Sequence, residues 1–268
     1  MVRTVRLTGM DSLIRPDPWH KLAALTPARI ALGRAGCSLP TRAVLEFDLA
    51  HALARDAVHQ PLDLADLVAH WRAAGGGEAL AVRSRARDRL TYLQRPDLGR
   101  RLDKDSADRL AAQAGNDDLA IVLADGLSAP AVQRHALPLV HALLPLLEGL
   151  RVAPLVLAEQ GRVALGDEIG ALLRVRLLLI LLGERPGLSA PDSLGAYLTF
   201  APQIGRLDAE RNCVSNIRDE GLPPAAAAKK LAWLIREALT RKLTGVELKD
   251  ESAMGQLESS CGKSSGML

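Results

Sequence analysis

Apolar residues in this chain follow two rhythms, and the change between them falls near Asn116. Residues 1–28, with "IRPDPWHKL" and "TPARI", keep neither a helical nor a strand period and read as an irregular arm. From Arg29 the spacing turns helical. Leu45, Leu49, Ala52 and Leu53 recur on one side of a helix, which leaves Glu46, Arg55 and Asp56 to water. Thr41, just after Pro40, is the expected N-cap. Leu62 to Ala74 predicts a second helix, stopped by Gly75, Gly76 and Gly77. The basic stretch "RSRARDRLTYLQRPDLGRRL" follows and is expected to cross a surface.

Beyond Asn116, short apolar runs end in turns and then give way to helical spacing. "DLAIVLADGLSAP" predicts a strand over Leu119 to Ala124 with a turn at Asp125 and Gly126. "RVAPLVLAEQGRVALGDEIGALL" repeats the plan, with a strand near Ala153 to Ala158 and a helix from about Asp167. "LLLILLGERPGL" repeats it again over Leu177 to Leu182, and "GAYLTFAP" is a fourth strand. The runs are almost continuously apolar, as strands covered on both faces are. The fold class predicted is α/β: a mostly parallel, Rossmann-like sheet with flanking helices, preceded by a helical N-terminal region. In boundaries, this means an arm over 1–28, a helical region over 29–115, an α/β domain over 116–248 and a disordered tail over 249–268. The last helix opens at Pro224, buries Leu231, Leu234, Ile235, Ala238 and Leu239, and is expected to close at Gly245.

Composition narrows the function classes. With 48 % hydrophobic residues the chain can build a core, and with 3 % aromatics that core is leucine, alanine and valine. A net charge of +3, spread along the chain, and few stacking rings argue against nucleic acid as a partner. Cys37, Cys213 and Cys261 form neither a disulfide framework nor a zinc pattern. No apolar run approaches the ~20 residues of a membrane span, and "MVRTVRLTGMDSLI" has no apolar signal core. A reducing, cytoplasmic setting is expected.

Ligands of open α/β sheets sit outside the carboxyl ends of the strands. That rule nominates Asp125 with Gly126, the loop around Val163, and Gly183, Glu184 and Arg185. The plainer reading makes Asp125 a helix cap and pairs Glu184 with Arg185. No phosphate-binding glycine loop, dinucleotide fingerprint or nucleophile elbow is present. The histidines show no metal-chelating spacing, so neither a metal site nor a catalytic residue is assigned. Cys213 in "RNCVSNIRDEG" has no histidine nearby in sequence, and an inert, buried thiol is its ordinary reading. These residues describe a binder or a subunit.

"RIALGRAGCSLPTRAVLEFDLAHALARDAVH", "VRSRARDRLTYLQRPDLGRRLD", "IVLADGLSAPAV", "LLGERPGLSAPDSLGAY" and "RNCVSNIRDEGLPP" resemble, in order, the small-subunit family of ethanolamine ammonia-lyase, from about Arg29 to Val246. The resemblance implies an adenosylcobalamin-dependent lyase that converts ethanolamine, a vicinal amino alcohol, to acetaldehyde and ammonia by radical chemistry. It implies a hetero-oligomer with a large subunit that holds most of the substrate, while the small subunit completes the cobalamin site. Val163, Glu184 and Cys213 carry over as cofactor contacts. The chain has no D-x-H-x-x-G run, so the cofactor is expected base-on. The complex would work in the cytoplasm, free or inside a bacterial microcompartment. A cofactor-free scaffold of the same fold is the alternative class.

Overall fold

The computed structural model describes residues 14–252. Most of the expected arm's first half, the bulk of the tail and Cys261 lie outside the described residues. Two units are distinguished: one holds the chain up to Asp56 with Gly187–Ala190, the other Ala57–Pro186 with the chain from Pro191. In the first unit, strands β1 (Ile14–Arg15) and β2 (Arg34–Ala35) pair antiparallel. Helix α1 (Thr41–His59) runs on into the second unit. It starts at Thr41 itself, one residue earlier than a cap there would allow.

The second unit is an α/β sandwich. Its six-stranded sheet has the order β3 (Ala79–Arg83), β5 (Leu155–Glu159), β4 (Leu119–Ala124), β6 (Leu177–Gly183), β7 (Leu194–Phe200), β8 (Arg211–Ile217). The first four strands are mutually parallel, and β7 runs antiparallel to both neighbours. The predicted α/β class, a mostly parallel sheet with flanking helices, is therefore the one observed. Residues 29–115 carry α1, α2 (Leu64–Ala73), α3 (Arg89–Gln94) and α4 (Lys104–Ala112), and they also supply the edge strand β3.

Strand alternation explains the unbroken apolar runs. Leu119, Ile121, Leu123, Leu177, Leu179 and Leu181 face one core with α5 (Ala129–Leu143) and α7 (Pro224–Arg241). Ala120, Val122, Leu178, Ile180 and Leu182 face the other with α4 and α6 (Leu165–Leu173). Both faces are covered, so no position of β4 or β6 is free to be polar. Helix α7 ends earlier than expected: Lys242, at φ 58°, takes the left-handed cap, and Gly245 lies beyond it. Among the described residues no helix is long and apolar enough to cross a membrane.

Candidate functional site

Two glycines bring the first and third strand-end loops together. Leu127 N–H donates to the Gly183 carbonyl at 2.9 Å. A Cβ on Gly126 would stand 2.2 Å from that carbonyl oxygen, and one on Gly183 would stand 2.0 Å from the Ser128 carbonyl. Only backbone fits at this crossing. Asp125 is not the cap of α5. That role belongs to Ser128, whose hydroxyl accepts from Ala131 N–H.

Asp125 instead works across the sheet edge. It is buried, with 2 % of its surface exposed, and its carboxylate accepts from the N–H groups of Gln160 and Gly161, each at 3.0 Å. Arg89 lies 3.3 Å from it and also donates to the Gly126 and Val58 carbonyls. The phenol of Tyr92 donates to the Gly161 carbonyl at 2.9 Å, and the Arg162 guanidinium stacks over the Tyr92 ring at 4.4 Å. Burial, offset in part by Arg89 and by the N–H groups of Gly161, Gln160 and Gly126, pushes the Asp125 carboxyl up to about 6. The clamp fixes the loop after β5, and Val163 follows it directly into the first turn of α6.

Glu184 begins the loop after β6. Its N–H donates to the Ser193 carbonyl at 2.9 Å, and its carboxylate accepts from the Ser193 hydroxyl and from Asn216 N–H. Those contacts, rather than an ion pair with Arg185, define its position. Gly195 lies under it, and a Cβ there would stand 2.9 Å from one Glu184 oxygen and 3.1 Å from the Tyr197 ring. Tyr197 pairs in register with Ile180 on β6 and Cys213 on β8, so all three share the α6 face of the sheet. Burial, then the nearby Cys213 and Glu184, raises the Tyr197 hydroxyl above its ordinary value, so it remains a donor.

Cys213 is exposed, contrary to the ordinary reading of such a thiol, with its Sγ 3.3 Å from the Ser215 hydroxyl. On the opposite face of β8, Val214 and Ile217 are buried. The buried pair of Arg211 and Asp167, bidentate at 2.6 and 2.7 Å, ties the start of β8 to the first turn of α6. A polar shelf results, with Glu184, Ser193, Asn216, Ser215 and Cys213 gathered around Tyr197. Val163 is half-buried and, like Tyr197, packs against the core that contains Leu182. The structure therefore brings Glu184 and Cys213 to one neighbour and sets Val163 on the same sheet face, at the start of α6. Ser193, Tyr197 and Asn216 were not nominated, because register alone brings them to Glu184. Among the described residues no group of three or more His, Cys, Asp or Glu side chains could hold a metal ion.

The fold is an α/β sheet sandwich with a polar shelf on one face of β7 and β8, beside the carboxyl ends of its parallel strands. The family model described as ethanolamine ammonia-lyase light chain matches residues 16–249. The chain is 61 % identical over 248 residues to an ethanolamine ammonia-lyase small subunit from Azotobacter vinelandii, covering 90 % of this chain and 92 % of that protein. It is 56 % identical over 258 residues to the small subunit from Pseudomonas paraeruginosa, with 94 % of each covered. A third small subunit, from Xanthomonas campestris pv. campestris, is 57 % identical over 242 residues, 88 % of this chain and 89 % of that one. The chain belongs to the ethanolamine ammonia-lyase light-chain family, a family of lyase subunits.

Proposed function

We propose that this chain is the light partner in an adenosylcobalamin-dependent lyase that deaminates ethanolamine to acetaldehyde and ammonia, and that its task is to close the cofactor site. The observation that carries the reading is the shelf. A face of β7 and β8 beside the carboxyl edge of the parallel strands presents Glu184 and Cys213 to the outside, while the opposite face is core. The residues present fit a corrin. Glu184 offers carboxylate lone pairs to amide N–H groups, which are strong donors. Gly195 lets that carboxylate and the Tyr197 ring close over the strand, and Cys213 and Ser215 are small enough for a flat ring system to lie against. Val163 adds an apolar contact at the start of α6. When bound, adenosylcobalamin supplies the radical that begins the deamination. This chain orients it and keeps water from it, and the substrate sits mainly in the heavy partner.

Two features agree with the assembly this requires. Helix α1 exposes a row of leucines, Leu45, Leu49 and Leu53. Cys37 and Cys213 are free, exposed thiols, which suits a reducing cytoplasmic setting, whether open cytosol or a microcompartment.

The test is to mix the chain with its heavy partner and measure corrinoid binding and ammonia release. Activity confined to the mixture, and lost without the cofactor, is the expected result. A formed complex that binds no corrinoid would leave a scaffold of the same fold. Within that complex, Glu184→Ala removes charge-assisted hydrogen bonds of roughly 1.5–3 kcal/mol each. Cofactor affinity then falls by about 10- to 100-fold, with Glu184→Gln, which keeps an acceptor oxygen but not its charge, between the parent and Glu184→Ala. Equilibrium titration checks this, and unchanged affinity in Glu184→Ala would remove the residue from the cofactor site.

A further inference from the structure

Three arginines at the start of the basic stretch, Arg83 at the end of β3 with Arg85 and Arg87 after it, have no part in the clamp or the shelf. Arg83, Arg85 and Arg87 alternate with the buried residues Val82, Ser84 and Ala86, so their side chains leave the extended backbone on one side. They meet Lys104, at the start of α4, along the wall of a cleft of about 760 Å3. The cleft sits at the carboxyl end of β3, beside β5, where sheets of this kind bind ligands.

The acids along its wall are already engaged. Glu168 is held by Arg101 at 3.0 and 3.3 Å and accepts from Leu102 N–H at 2.9 Å. Asp103 caps α4 by accepting from Ser106 N–H at 2.7 Å. Arg85 is braced by a 3.2 Å bond from its Nε to the Leu102 carbonyl, which leaves the far end of its guanidinium facing outward. Arg83 and Arg87 meet no carboxylate among the described residues. Like charges on one side of an extended segment repel weakly in water, and an anion placed among them turns that repulsion into attraction.

We propose that the cleft binds the phosphate group of a small anionic ligand. Guanidinium forks match phosphate oxygens in pairs, and a phosphate offers more oxygens and more charge to several forks at once than a carboxylate's two oxygens do. The volume falls within the roughly 300–1,000 Å3 of small-molecule sites, and a concave wall suits such a ligand better than the face of another protein. The site is independent of the cofactor reading, and its test uses no corrinoid.

The full chain is titrated with inorganic phosphate at fixed chloride concentration, by calorimetry, and again with glycerol phosphate. Saturable binding of one equivalent is expected, weakened about tenfold or more in the double variant Arg83→Gln, Arg87→Gln. The exposed control pair Arg55→Gln, Arg72→Gln should leave it unchanged. Tighter binding of glycerol phosphate would support an ester as the occupant, and equal binding would support free phosphate. Non-saturable binding, or equal loss in the control pair, would overturn the site. Loss of phosphate binding once the heavy partner is added would overturn it too, in favour of an acidic protein surface.

Discussion

An Asp125→Ala chain loses roughly 3–5 kcal/mol of stability at pH 7. Two causes add. The N–H groups of Gln160 and Gly161 lose their acceptor in a dry site, at about 1–3 kcal/mol for each such group. Arg89, whose side chain is 13 % exposed and whose second terminal nitrogen already lacks a partner, loses its counter-charge. The effect extends to the loop after β5, because Gln160 is held at φ 55°, a conformation that costs energy outside glycine and persists only while its surroundings hold it. Once that hold is released, the loop that carries Val163 into α6 loosens. Urea unfolding measures the stability, and a loss below about 1 kcal/mol, the ordinary surface value, would sink the idea of a clamp.

The same carboxyl gives a pH dependence with a definite sign. Its folded value of about 6 lies above the ordinary 3.8. Between those values the folded chain keeps a proton that the unfolded chain has released. The stability this group contributes is therefore greatest below pH 4 and declines as pH rises to 6, by roughly 3 kcal/mol at 1.36 kcal/mol per unit. Asp125→Asn removes the titration and should flatten the profile over that window. A parent profile already flat there would mean that Arg89 keeps the carboxylate ionised throughout.

What was legible in the sequence follows from what covers each element. Strands β4 and β6 could be located because burial on both faces makes them continuous hydrocarbon, and β4 falls on Leu119 to Ala124 as expected. Strands β3 and β8 went unpredicted because they are the sheet's edges and only half-covered. In β8 the pattern is further broken by a bulge. Val214 and Ile217 reach the same core although three residues apart, with Asn216 between them at φ 57°. A search for strict alternation misses such a strand.

The candidate site divides along the same line. Glu184 and the loop of Val163 follow strands that could be seen, so the carboxyl-edge rule reached them. Cys213 lies within β8, and only its register with Tyr197 takes it to the shelf. Asp125 was nominated by the same rule for a ligand, yet its lone pairs are spent on the neighbouring loop. A strand-end acid can serve the ligand or the scaffold, and only its hydrogen-bond partners tell which.

Helix α1 reverses its expected orientation, and the reversal carries the largest predicted effect on assembly. Leu45, Leu49 and Leu53, four residues apart and so on one side of the helix, were read as its buried stripe. They are 62 %, 61 % and 50 % exposed, whereas Ala50 is buried and Ala43 and Ala54 are half-buried. Small residues thus face inward and large ones outward, the reverse of a helix that serves only its own fold. Each leucine gains roughly 1.5–3 kcal/mol if a partner covers it. In a light chain, the heavy partner is the surface that would do so. Leu45→Asp with Leu49→Asp forfeits two of these gains and buries two unpaired charges besides. Association then weakens by about 1,000-fold or more. Because both positions are exposed, circular dichroism of the isolated chain should not change, and its solubility should rise. Co-elution with the heavy partner should disappear, and ammonia release with it. Normal co-elution of the double variant would move the assembly surface away from α1.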